Sequence, residues 1–195
     1  MTTHNKENIE RIEISRDGLS DIEKQISQQA HVKWYNFVRP HLSGKVIVCA
    51  CGVGYGCFII RRNANVRSVL GIDKDKAAID FADRNYSTEN TFFMRDKIET
   101  LKHVGPFDFM VSIGTIEYLE NPADLLDLAK RINVKKIILT YPAIGSICLG
   151  NPHSLDFTID DIKNLFEPIY TVYDVYHFLG EVEFVFLERE TPQRR

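Results

Sequence analysis

Lys45-Val46-Ile47-Val48-Cys49-Ala50-Cys51-Gly52-Val53-Gly54-Tyr55-Gly56-Cys57 holds the key to the architecture. Lys45 to Cys51 is a short apolar run between Gly44 and Gly52, which predicts a buried strand. Tyr55 to Arg62 predicts a helix. Ala50 to Gly56 therefore leaves a strand and enters a helix. Glycine lets such a turn close tightly and approach a ligand with no Cβ in the way. The helix start adds N–H groups and partial positive charge suited to a carboxylate or phosphate. A plain strand-to-helix turn explains the same glycines without a ligand.

Outward from this turn, strand and helix signals alternate. Upstream, Leu19, Ile22 and Ile26 fall at helical spacing, Trp34 and Val38 extend the stripe, and Pro40 ends it. Downstream, Ser68 to Ile72 is a strand ending at Asp73. Asp75 caps a helix with Ala78, Phe81 and Ala82 on its apolar face. Thr91 to Met94 and Phe107 to Ile113 are strands. Asn121 and Pro122 start a helix that buries Leu125, Leu128, Ala129 and Ile132. Lys136 to Tyr141 is a strand stopped by Pro142, and Thr158 with Asp161 starts a helix through Phe166. Tyr170 to His177 and Val182 to Glu188 form a hairpin around Gly180. The pattern predicts an α/β fold in three layers, a mostly parallel sheet with helices on both faces and an antiparallel strand at one edge.

The 195 residues suit one domain: a polar arm over 1–17, a helical segment over 18–40 and a core over 44–190. The net charge of −3 gives no electrostatic reason to expect nucleic acid as a partner. No apolar run is long enough to span a membrane, and Met1 to Glu10 lacks the apolar core of a secretory signal, so the expected location is cytoplasmic. Of the four cysteines, Cys49, Cys51 and Cys57 crowd into nine residues and Cys148 stands apart, which fits reduced thiols. Cys49 and Cys51 are read as sharing one strand face. No second Cys/His pair at zinc spacing follows, so no metal is expected. Arg131, Lys135 and Lys136 read as a solvated basic cluster.

Asp73 lies about twenty residues past the glycine loop, at the carboxyl end of a strand, where open α/β sheets bind ligands. Its carboxylate can accept both hydroxyls of a ribose; capping the next helix is the alternative, a task Asp75 fills equally well. A nicotinamide loop wants G-x-G-x-x-G, and here Cys57 occupies the third glycine position.

KVIVCACGVGYG, VLGIDKDKAAIDFA, FFMRDKIETL, FDFMVSIGTIEYLENP and IILTYP, in that order, resemble the successive motifs of class I S-adenosylmethionine-dependent methyltransferases from Gly44 to Phe166. The A-C-G-x-G-Y-G variant and NPHSLDFTIDDIKNLF look most like the subgroup that modifies sugars and other small molecules. The resemblance implies a Rossmann-like seven-stranded sheet whose last hairpin strand is antiparallel, and S-adenosylmethionine as cofactor. It places Ala50, Gly52 and Gly54 at the methionine end, counts Cys51 and Tyr55 of the same loop among the cofactor-binding residues, and puts Asp73, with Lys74 beside it, on the ribose. It puts Asp96 at the adenine amino group, with Lys97 next to it among the cofactor-binding residues, Ile98 on the adenine face, and Ser112, Ile113 and Gly114 beside the methyl-transfer site. Glu117 and Tyr118 match a frequent Glu-His pair, with tyrosine replacing histidine. The family's acidic residue two positions before the loop is replaced by Val48.

The partner implied is a small-molecule acceptor. Candidate general bases are His153, in Asn151-Pro152-His153-Ser154, together with Glu117, Tyr118 and Tyr141; His103 and His177 have weaker claims. A packing or surface role is the plainer reading of His153. Two rival functions stand beside methyl transfer. One is a catalytically silent binding relative, motivated by Val48. The other is a nicotinamide-dependent oxidoreductase, disfavoured by Cys57. Gly145 to His153 is read as a flexible rim over the site.

Overall fold

A computed structural model describes residues 21–142, 156–167, 169–178 and 182–190, with side chains from residue 29 onward. The polar arm, Leu19, Cys148, the rim from Gly145 to His153, His153 itself and Gly180 lie outside the described residues, as do the side chains of Ile22 and Ile26.

Seven strands form one sheet: β1 (Gly44–Cys49), β2 (Val66–Asp73), β3 (Thr91–Arg95), β4 (Phe109–Ser112), β5 (Lys136–Pro142), β6 (Tyr170–Phe178) and β7 (Val182–Arg189). Their order is β3-β2-β1-β4-β5-β7-β6. The first five run parallel to one another, whereas β7 is antiparallel to both β5 and β6. This corrects one expectation. The antiparallel strand is not at the edge: the chain lays β6 on the outside and returns through β7 to fill the slot beside β5. The strand order reverses between β1 and β4, which opens a crevice at their carboxyl ends.

Among the described residues five helices cover the sheet: α1 (Asp21–Val38), α2 (Tyr55–Arg61), α3 (Lys76–Tyr86), α4 (Ala123–Arg131) and α5 (Ile159–Phe166). Strand alternation sorts the core into two layers. Ile47, Cys49, Ile72, Met110 and Leu139 pack with Leu125 and Leu128 of α4 and Ile162 of α5. Val46, Val48, Val69, Val111 and Ile138 pack with Trp34 and Val38 of α1, Ile60 of α2 and Ile79 of α3. Among the described residues no helix is long and apolar enough to cross a membrane.

The local signals act largely as read. Asp75 Oδ1 accepts from the Ala77 and Ala78 N–H groups, and Thr158 and Asp161 close a reciprocal capping box. Asn121 still accepts from the Ala123 N–H at 3.2 Å, although α4 begins at Ala123. On α3 the buried residues are Ile79 and Ala82, with Ala78 and Phe81 only half-buried. Ile79 reaches deeper because the helix meets the sheet along that line.

α1 ends where Pro40 enters a short 3-10 turn over Arg39–His41. The Asn63 side-chain amide donates to the Arg39 and Leu42 carbonyls at 2.7 and 2.8 Å, satisfying groups the helix end leaves open. The C-terminal half of α1 is held by packing. Tyr35 lies so close to Gly56 of α2 that a Cβ there would sit 2.3 Å from its ring. The Phe37 ring lies 4.9 Å from Phe184 of β7 and 5.4 Å from Phe178 of β6.

Candidate active site

The loop after β1 is built from left-handed backbone. Ala50, Gly52 and Gly54 have φ of 50°, 54° and 89°. The Cys51 N–H continues the ladder to the Ile72 carbonyl at 2.9 Å, and the Gly54 N–H closes the turn on the Cys51 carbonyl at 3.1 Å. The left-handed Ala50 breaks strand alternation. Cys49 therefore packs in the α4/α5 layer and Cys51 in the α1/α2 layer, correcting their assignment to one face.

The three glycines do different work. A Cβ on Gly54 would sit 2.6 Å from Ala82 and 2.8 Å from the Phe93 ring, and one on Gly56 would strike Tyr35. Both are required by helix packing. Only Gly52 has nothing within 4 Å of its Cβ position. At Cys57, the third position of the nicotinamide pattern, the buried side chain packs beside β2. A Cβ on Gly71 would meet the Cys51 and Cys57 sulfurs, each at 2.9 Å. A hydrogen bond to Cys57, then burial, pushes the Cys51 thiol far up; burial pushes Cys49 up to about 12. These thiols are neutral packing groups.

A cavity of about 190 Å³ opens at the carboxyl ends of β1 to β4. Ala50 lines it from the glycine loop, Ile72, Asp73 and Lys74 from the end of β2, and Asp96, Lys97, Ile98 and Glu99 from the segment after β3. Gly114, Thr115, Tyr118 and Leu119 line it from the segment after β4. Of the residues named from sequence, Ala50, Asp73, Lys74, Asp96, Lys97, Ile98, Gly114 and Tyr118 thus meet around one space. Cys51, Gly52, Gly54, Tyr55, Ser112, Ile113 and Glu117 are not on this wall. Cys51, Ser112, Ile113 and Glu117 are buried, Glu117 in a 3-10 turn over Ile116–Tyr118.

Two of the three carboxylates on this wall, Asp73 and Asp96, are oriented by nearby donors. Asp73 Oδ2 accepts from the Gly52 N–H at 2.8 Å, and Oδ1 from the Asp75 N–H at 2.9 Å. Asp96 Oδ1 accepts from the Lys97 N–H at 2.7 Å and the Thr100 hydroxyl at 2.9 Å. A carboxylate offers about four acceptor positions, so each keeps capacity for a ligand. The Arg131 guanidinium holds the intervening turn by donating to the Ile98 and Leu101 carbonyls at 2.7 and 2.8 Å. Its basic neighbours do other things: Lys135 pairs with Asp108 and Lys136 with Glu188. The cluster seen in sequence is three separate contacts.

The remaining candidates are dispersed. Tyr141 is buried, donates to Glu183 of β7 and does not line the cavity. Burial, then the hydrogen bond to that carboxylate, holds its hydroxyl far above the ordinary tyrosine range. His177 Nδ1 sits on the same Glu183 at 3.1 Å. His103 is an exposed residue with φ of 61°, away from the cavity.

Sequence reasoning missed His31. Its Nδ1 lies 3.0 Å from the Tyr55 hydroxyl, and its Cε1 and Nε2 both lie 3.5 Å from the Cβ position of Gly114. Gly114, with φ of 60°, donates its N–H to Thr140 Oγ1 at 2.9 Å. The only sequence signal for His31 was its place one turn before Tyr35 on an amphipathic helix.

Comparison with solved structures finds this fold in several methyltransferases. The chain is similar to an S-adenosylmethionine-dependent methyltransferase from Mesorhizobium loti, at 13% identity over 82% of this chain and 98% of that one, with a TM-score of 0.68. It is also similar to the magnesium protoporphyrin IX methyltransferase of Synechocystis PCC 6803 with bound SAM, at 16% identity, 93% and 90% coverage and a TM-score of 0.64. A SAM-dependent methyltransferase from Aquifex aeolicus matches at 14% identity, 83% and 89% coverage and a TM-score of 0.64. No curated protein sequence matches. The family model described as "Methyltransferase domain" matches residues 41–167, which span the glycine loop, Asp73, Asp96 and β5. The chain belongs to the methyltransferase domain family.

Proposed function

We propose that this methyltransferase moves the methyl group of S-adenosylmethionine to an oxygen or nitrogen of a small-molecule acceptor, sugar-containing acceptors included. One observation carries the reading. Asp73 and Asp96, at the ends of neighbouring strands β2 and β3, flank one cavity with apolar Ile98 and Leu119 in its wall. Two carboxylates that accept from a ribose and an exocyclic amine, beside an apolar slot for a planar base, fit a nucleoside.

The residues present suit the cofactor. Asp73 would hold the ribose hydroxyls and Asp96 the adenine amino group, with Ile98 against the base. The loop from Ala50 to Gly52, open at the Gly52 Cβ position, would take the methionine end. The cofactor supplies an activated methyl group on a sulfonium. The chain's own task is to fix an acceptor in line with that methyl and to receive its proton; positioning of this kind supplies up to about 7–11 kcal/mol in favourable cases.

Val48 favours a second reading, a relative that binds the cofactor without turnover. It is fully buried in the α1/α2 core layer, so no carboxylate reaches the methionine end from β1. Calorimetry with S-adenosylhomocysteine tests the cofactor site. Micromolar binding with no thermal shift by NAD is expected, and absence of binding overturns the proposal. Turnover on a panel of hydroxylated and aminated small molecules separates the two readings.

A further inference from the structure

We propose that the sheet face left without a helix between β3 and β4 is a second ligand site, for a small carboxylate carrying an aromatic ring, with Lys45 at its anionic end. It shares no lining residue with the cavity at the carboxyl ends of the strands.

The groove follows from the connections. Three of the four links between parallel strands carry a helix: α2, α3 and α4. The fourth, residues 96–108 from β3 to β4, carries none. Parallel sheets are normally covered on both faces. Here Ile60 of α2 and Ile79 of α3 pack with Val69 on one face. On the other face the irregular segment leaves a groove of about 240 Å³, walled by Pro106 and Phe107. Phe92 stands in it 51% exposed, an unusual state for a large apolar side chain in a strand.

The ladder sets the chemistry of the floor. Lys45 of β1 lies beside Ser68 of β2, and Leu70 of β2 lies beside Phe92 of β3. Strand alternation puts all four on the same face. The floor therefore has a polar row and an apolar row, two residues or about 7 Å apart along β2. No acid lines the groove. Among the described residues the Lys45 ammonium has no carboxylate partner and the Ser68 hydroxyl no hydrogen bond. Asp108, which accepts from the Lys45 N–H, is already filled by Arg67 at 3.0 Å and Lys135 at 2.7 Å. The local excess charge is positive, and an anion complements it. Size limits the ligand. An engineered apolar cavity of about 150 Å³ holds benzene, so this groove has room for one ring and a short acid chain. A carboxylate over Lys45 and Ser68, joined by a two-carbon spacer to a ring over Leu70 and Phe92, matches both rows.

Titration of the full chain with 3-phenylpropanoate and its neutral amide, followed by NMR, tests the site. The acid is expected to bind at about 1 mM or tighter, with the Leu70 and Phe92 resonances moving most. It should bind at least about tenfold tighter than the amide, and added salt should narrow that ratio. Lys45→Met should bring the ratio to within about twofold, whereas Lys45→Arg should keep it. Phe92→Ala should weaken both ligands about equally and leave the ratio intact. Thermal melts check that each variant is folded. Absence of binding, equal affinity for acid and amide, or an unchanged ratio in folded Lys45→Met overturns the proposal. So does movement of the Leu70 and Phe92 resonances on diluting the protein alone, which would show a second copy in the groove.

Discussion

Gly52 donates its backbone N–H to Asp73 Oδ2 at 2.8 Å, so the glycine loop and the end of β2 are one unit. The carboxylate that would receive the ribose also sets the shape of the loop that would receive the methionine end. Removing it has two consequences at once. Asp73→Ala is expected to destabilise the fold by about 1–3 kcal/mol through two orphaned N–H groups and to abolish cofactor binding. Asp73→Asn, which keeps one acceptor oxygen, should recover most of the stability and little of the binding. Denaturant melts beside calorimetric titrations separate the two effects.

The glycines divide the same way. Gly54→Ala meets Ala82 and Phe93 as well as a φ of 89°, so it should lose more than about 2 kcal/mol of stability. Gly52→Ala meets open space and only the left-handed strain of about 1 kcal/mol. It should fold nearly normally and bind S-adenosylhomocysteine at least about tenfold more weakly. Equal losses of stability in the two variants would show that the loop responds to backbone strain alone.

Asp96 is expected to read the purine edge. A carboxylate accepts from the adenine amino group but is repelled by a carbonyl at that position. The wild type should therefore discriminate by about tenfold or more against the deaminated, inosine form of S-adenosylhomocysteine. Asp96→Asn presents an amide N–H and should narrow or invert that preference. Competition binding with the two nucleosides measures it directly.

Asp108 gives a pH dependence far from the cavity. Partial burial raises its carboxyl, but the Lys135 ammonium, the Lys45 N–H and Arg67 outweigh this and hold it at about 2. A folded pKa below the unfolded value of about 3.9 stabilises the fold above that unfolded value. The contribution fades as pH falls through about 2. Asp108→Asn should lower the melting temperature by about 2–4 °C at neutral pH, with the gap closing in acid. Both basic partners are largely exposed, so salt should shrink the difference as well.

The sheet and its helices were readable because each signal was local. Apolar runs end at glycine or proline, Asp75 and Thr158 cap their own helices, and β-rich segments flank a short turn. The place of Asp73 on the cavity wall was readable because strand ends are where such sheets hold ligands, and that of Asp96 through the family resemblance. What the chain did not disclose depends on distant residues. Nothing near Gly54 announces Ala82 or Phe93, and nothing near Cys51 reveals that a left-handed Ala50 turns it to the opposite layer. Arg131 looked like a solvated helix end because its two carbonyl acceptors lie thirty or more residues away. His31 was hidden for the same reason: its neighbours Tyr55 and Gly114 come from two other elements. Tyr141 looked available until Glu183, on the strand that slots in beside it, was in place.

That slot has a bearing on how the molecule is made. β7 is the last strand along the sequence yet lies second from the edge, clasped between β5 and β6. As the nascent chain leaves the ribosome, the five parallel strands can assemble first, with β5 presenting an uncovered row of backbone groups. Only when Arg189 emerges can that row be closed. Until then it is open to pairing with any passing strand, and Val185 and Leu187 are missing from the core beneath α4 and α5. The family match ends at residue 167, before this hairpin begins, so a chain trimmed to the matched region would carry the cavity carboxylates but keep that edge exposed for good.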